Sequence, residues 1–130
     1  METLESLEIL ASKSTPKIDF NSKTNVLSMN GESYPENTVK FYAPIFNWLE
    51  QYIKQLGDNK VTINIELVYF NSSSSKVLMD IFDILEDASA EGKDITLNWL
   101  YDVDNDASLE YGEEFSEDVE SLNFNLIEKS

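Results

Sequence analysis

The chain has 130 residues, 42% hydrophobic and 26% charged, which is ordinary usage for one globular domain with a core large enough to fold unaided. Its 9 Lys+Arg stand against 25 Asp+Glu, a net charge of −16, and this disfavours nucleic acid and anionic lipid, which are bound through clustered Lys and Arg. With no Cys and no His, disulfides, thiol nucleophiles, imidazole bases and Cys- or His-ligated metals are excluded.

Met1 to Leu10 alternates acids with apolar residues and lacks the basic start and apolar block of a secretory signal. No window approaches the ~18 apolar residues of a membrane span. Residues 1–13 are therefore read as a loose leader, residues 14–130 as one domain, and the compartment as a bacterial cytoplasm. Pro16 to Phe20 and Val26 to Asn30 read as a strand pair around the polar turn Asn21 to Asn25.

Ser33-Tyr34-Pro35-Glu36 fits a capping box with Ser33 as N-cap. Phe41, Ile45, Trp48, Leu49, Tyr52, Ile53 and Leu56 then recur at helical spacing up to Gly57. Pro44 inside that run predicts a kink or a late start. Val61 to Leu67 alternates strictly and predicts a half-buried strand. After the polar stretch Asn71 to Ser75, the positions Val77, Leu78, Ile81, Phe82, Leu85 and Ala88 mark a second helix. Ile95 to Trp99 alternates again, Asp104 to Asp118 predicts an acidic helix, and Leu122 to Leu126 a last strand.

The expected order is β-β-α-β-α-β-α-β. Strands joined through helices run parallel. A sheet covered on both faces would show continuous apolar runs, whereas here Thr62, Asn64, Glu66, Thr96, Asn98, Asn123 and Asn125 interrupt them. The expectation is an α/β (α+β) domain: a mixed sheet, helices on one face, the other face wet. This is not a doubly wound nucleotide-binding fold. Residues 1–79 hold 9 acids and 7 lysines, whereas residues 80–130 hold 16 acids and 2 lysines. The acidic half is read either as solvated helix faces or as a docking surface for a basic partner.

Three constellations bear on chemistry. Asp102, Asp104, Asp106 and Glu113 fall at positions 1, 3, 5 and 12 of an EF-hand-type calcium loop, although Ala107 stands where the sharp turn wants Gly. The competing reading is a strand-to-helix turn with acids at a helix N-terminus. No phosphate-cradling Gly motif is present. Asn71-Ser72-Ser73-Ser74-Ser75-Lys76 lies between a strand and an amphipathic helix. One Asn or Ser there suffices as a cap, and the surplus hydroxyls suggest a phosphosite whose charge the helix end and Lys76 would accept. Asn71-Ser72-Ser73 is also a glycosylation sequon, but no secretory signal accompanies it.

The Asn71-Ser72-Ser73 junction resembles the phosphorylation turn of STAS-type anti-anti-sigma domains, and the order of elements agrees. Over about residues 14–128 the chain is more similar still to the SiaC family of regulatory phosphoproteins. Gly31-Glu32-Ser33-Tyr34-Pro35-Glu36-Asn37, Leu67-Val68-Tyr69-Phe70-Asn71-Ser72-Ser73-Ser74 and Met79-Asp80-Ile81-Phe82-Asp83-Ile84-Leu85-Glu86 carry the likeness. Trp99-Leu100-Tyr101-Asp102 and Glu113-Glu114-Phe115-Ser116-Glu117-Asp118 support it.

The resemblance implies a STAS-like fold and a phosphoacceptor directly after Asn71, which is Ser72, with Ser73 as runner-up. It implies a switch without enzymatic activity or cofactor. A Ser/Thr kinase adds the phosphate, a PP2C-like phosphatase removes it, and the unphosphorylated form activates a diguanylate cyclase, raising cyclic di-GMP. Asn71, Ser73, Ser74 and Lys76, with Tyr34, Pro35, Glu36 and Asn37, are the expected partner surface. The rival functions are a calcium module on Asp102, Asp104, Asp106 and Glu113, and hydrolysis by paired carboxylates.

Overall fold

A computed structural model describes residues 4–129, so residues 1–3 of the expected leader and Ser130 lie outside the described residues. The strands are β1 (Leu7–Ile9), β2 (Lys17–Asn21), β3 (Val26–Ser33), β4 (Lys60–Phe70), β5 (Asp94–Asp102) and β6 (Asn123–Lys129). The helices are α1 (Thr38–Leu56), α2 (Ser72–Ala90) and α3 (Asp106–Glu117). Spatial order follows sequence order, β1-β2-β3-β4-β5-β6. The β1–β2 and β2–β3 pairs are antiparallel, and the pairs from β3 to β6 are parallel.

Alternation decides the layering. Ile63, Ile65 and Leu67 of β4 and Ile95, Leu97 and Trp99 of β5 are buried, and they share one core with Tyr42, Ile45 and Leu49 of α1 and Leu78, Phe82 and Leu85 of α2. Phe115 of α3 joins the same core through edge contacts with Phe82 and Trp99. Val77 and Phe124 are only half-buried at its margin. The intervening strand residues form the opposite face, where polar side chains bond across strands. Asn98 Nδ2 donates to Asn64 Oδ1 at 2.9 Å, and Asn125 Nδ2 to Asn98 Oδ1 at 3.2 Å. All three helices therefore lie on one side, as the sequence predicts.

Three expectations are corrected. The leader is not loose between Leu4 and Ile9: Leu7–Ile9 adds a strand against β2, and Trp48 Nε1 donates to the Glu5 carbonyl at 2.6 Å. The order thus gains one strand at its start. Ser33 is not the cap of α1; it ends β3, while Asn37 caps the helix by accepting the Lys40 N–H at 3.0 Å. Of the two outcomes expected at Pro44, the late start is absent: the helix begins at Thr38 and carries Pro44 inside it on its exposed side.

Candidate functional site

The parallel strands β3, β4 and β5 end on one rim, and each feeds a helix whose N-cap is an asparagine. Asn37, Asn71 and Asn105 each accept the backbone N–H three residues on, from Lys40, Ser74 and Ser108, at 3.0, 2.9 and 3.1 Å. The rim thus carries the positive ends of three helices, at the carboxyl ends of strands where open α/β sheets place their ligands. In α2 the Asn71 side chain takes the Ser74 N–H and the Asn71 carbonyl takes that of Ser75. The N–H groups of Ser72 and Ser73 have no partner among the described residues.

The four serines are not equivalent. Ser72 and Ser73 are exposed, and Ser75 is half-buried. Ser74 is fully buried, its Oγ 2.8 Å from Ser33 Oγ, which lies 2.6 Å from the Tyr42 hydroxyl. Burial pushes the Tyr42 pKa up, partly offset by the Ser33 bond, so this chain of hydroxyls is neutral. Asn71 N–H also donates to the Ser33 carbonyl at 3.1 Å. Ser74 therefore locks the first turn of α2 to β3 and α1, and its expected place on the partner surface is corrected. The same correction applies to Pro35, which is buried.

Four of the remaining expected residues are brought together. Glu36, Asn37, Ser73 and Lys76 line one open groove between the starts of α1 and α2, with Val39 and Asp80. Lys76 is exposed and makes no ion pair among the described residues. Tyr34 stands beside Tyr69, with ring centroids 5.7 Å apart.

Tyr69 and Val68 are residues the sequence reading missed. β3 and β4 slip register here: Gly31 pairs with Leu67 but Glu32 with Tyr69, leaving Val68 as an extra residue. Such a bulge re-aims the side chains that follow. Val68 and Tyr69 are 54% and 53% exposed, and Phe70 returns to the core just before Asn71. The signal was present, since the alternation of Val61 to Leu67 breaks at Val68-Tyr69-Phe70.

The calcium constellation does not assemble. Asp102 ends β5, Asp104 lies in the following turn, Asp106 opens α3 and Glu113 lies two turns along it. Among the described residues no three His, Cys, Asp or Glu side chains group to hold a metal ion. Asn105 between them is a helix cap, its Nδ2 tied to the Val68 carbonyl at 3.1 Å. Among the described residues no helix is long and apolar enough to cross a membrane.

Known proteins share this arrangement. A family model described as "SiaC family regulatory phosphoprotein" matches residues 9–129. An uncharacterised protein of Pseudomonas aeruginosa (strain UCBPP-PA14) is 37% identical, over 88% of this chain and 90% of its own length. The crystal structure of apo-SiaC from Pseudomonas aeruginosa superposes with a TM-score of 0.82 at 33% identity, covering 96% of this chain and 98% of that one. SiaC from the crystal structure of the diguanylate cyclase SiaD in complex with its activator SiaC, also from Pseudomonas aeruginosa, superposes with a TM-score of 0.89 at 36% identity, covering 95% and 99%. By sequence and by fold, the chain belongs to the SiaC family of regulatory phosphoproteins.

Proposed function

We propose that this chain is a cytoplasmic, non-enzymatic switch whose unphosphorylated form binds and activates a diguanylate cyclase, and whose phosphorylation on Ser72 releases it. A Ser/Thr kinase and a PP2C-like phosphatase set the state. The observation that carries the reading is the exposed Ser72 hydroxyl at the first position of a helix whose first turn is anchored to the core through Ser74. A kinase can reach that hydroxyl without unfolding its surroundings. The related SiaC crystallised with the cyclase SiaD supports the partner class.

A phosphoryl group on Ser72 adds about −1.5 to −2 charge. The unpartnered Ser72 and Ser73 amides and the Lys76 ammonium would receive it, so the modified chain keeps its fold. The partner surface comprises Asn71, Ser73, Lys76, Tyr34, Glu36 and Asn37, with Tyr69, Val68 and Val39 as its apolar part. A phosphate beside that surface costs affinity by desolvation, and by repulsion of any acid the partner brings.

The test is mass spectrometry after reaction with the cognate kinase and ATP. Phosphate on Ser72, absent in Ser72→Ala, is the expected result. Phosphate on Ser73 would move the acceptor by one residue, and phosphate elsewhere would end the assignment.

A further inference from the structure

The acidic half of the chain has one feature the switch does not use, the outer side of β6. This strand is last in the sheet, and among the described residues its seven residues pair with β5 alone. Val103 N–H donates to the Lys129 carbonyl at 3.1 Å, so the Lys129 backbone faces β5. Backbone direction alternates along a strand and β6 keeps one register, so Asn123, Asn125 and Ile127 face β5 too. The N–H and C=O groups of Phe124, Leu126 and Glu128 therefore point off the edge.

β6 has neither a proline nor a bulge to blunt its edge, and its only charged residues are Glu128 and Lys129. Its one lysine, Lys129, is bound to Glu66 at 2.8 Å. Leu126 and Ile127, one on each face, are 36% and 37% exposed. The opposite edge, β1, has only three residues. Charge selects the occupant. Glu128 lies on the strand, and α3, which packs against β6, exposes Glu110, Glu113, Glu114 and Glu117. A second copy would set these acids against themselves, whereas a basic segment meets the opposite charge.

We infer that the outer edge of β6 accepts an extended, lysine- or arginine-bearing segment of another protein, which adds a seventh strand to the sheet. Its backbone pairs with Phe124, Leu126 and Glu128, and its apolar residues lie beside Leu126 and Ile127. β6 is two strands from β4, which leads into Ser72, so this inference stands apart from the switch.

The probe is a labelled synthetic peptide alternating lysine and valine over the length of β6. Its control is a block peptide of the same composition, which keeps the charge and loses the alternation. Two variants accompany the full chain. Leu126→Pro removes an outward N–H and no bond to β5, and Leu126→Lys keeps the backbone and adds a like charge. The alternating peptide is expected to bind at physiological salt and to protect the Phe124, Leu126 and Glu128 amides from exchange. Its affinity should fall about tenfold or more in Leu126→Lys, and in Leu126→Pro where circular dichroism confirms the fold. No binding, equal affinity for the two peptides, unchanged affinity in Leu126→Lys, or protection at other amides would overturn the inference. Dimerisation of the peptide-free chain that Leu126→Lys abolishes would overturn it as well.

Discussion

Ser33 holds the candidate site together at the scale of single residues. Its hydroxyl sits between Tyr42 and Ser74, and all three side chains are fully buried. Ser33→Ala leaves both neighbours without that partner, and an orphaned buried polar group costs about 1–3 kcal/mol. Ser74→Ala removes one end and leaves the Ser33–Tyr42 bond intact. Urea unfolding should therefore rank Ser33→Ala below Ser74→Ala in stability, with a Ser33→Ala loss of about 2 kcal/mol or more. Equal losses would mean that the three hydroxyls do not act as a chain. Ser72→Ala should behave differently. It removes no cap, because Asn71 caps the helix, so its stability should stay within about 0.5 kcal/mol of the parent.

The serine run also marks where sequence reading stopped. Four consecutive serines look alike, yet helical phase distinguishes them, since Ser74 lies one turn before Leu78 on the face continued by Ile81, Phe82 and Leu85. That phase is legible in the sequence. The misplaced cap at Ser33 has another cause. The Ser-x-x-Glu pattern is local, whereas Ser33 pairs with Phe70, a residue 37 positions away that no local pattern can find. β1 was missed because three residues are too few to show a period.

Among the elements, α3 is fixed by the closeness of its approach. A Cβ placed on Gly112 would come within 2.6 Å of both Trp99 Cδ1 and Leu126 Cδ2. Leu126 sits at the exposed edge and can shift. Trp99 cannot, because it is fully buried and its Nε1 donates to the Ser108 carbonyl at 2.9 Å. Helix propensity favours Gly112→Ala by up to about 1 kcal/mol, but overpacking costs about 1–3 kcal/mol. Thermal unfolding should therefore show a net loss, and a stabilised variant would mean that α3 rides higher over β5 than described.

The link from α3 to β6 depends on Glu86 of α2. Its carboxylate accepts the backbone N–H groups of Glu120, Ser121 and Leu122 at 2.8 to 3.0 Å. Those bonds, led by that of Leu122, hold its pKa below the ordinary 4.5. A carboxyl depressed on folding stabilises the fold above its unfolded pKa and loses that contribution as pH falls through the folded value. Glu86→Gln should consequently lower the melting temperature at pH 7, and the gap should narrow below about pH 4.5 as the parent's own carboxylate protonates. A gap that stays constant down to pH 3 would show that ionisation of Glu86 does not matter.

At the scale of the whole molecule, the sequence already contained the one-sided sheet. Polar residues alternate with apolar ones in β4 and β5, and a strand covered on both faces would not tolerate Asn64 or Asn98. What it did not contain was the β3–β4 register slip that turns Val68 and Tyr69 outward just before Asn71 and Ser72. A bulge is a property of two strands together.

The central claim is that charge at Ser72 decides partner binding while the fold stays fixed. The most direct measurement is the affinity of a purified cognate diguanylate cyclase for the unphosphorylated chain and for the chain phosphorylated stoichiometrically on Ser72. The account predicts tight binding of the first, at least about tenfold weaker binding of the second, and matching circular dichroism for both. Equal affinity, or tighter binding of the phosphorylated chain, would contradict it.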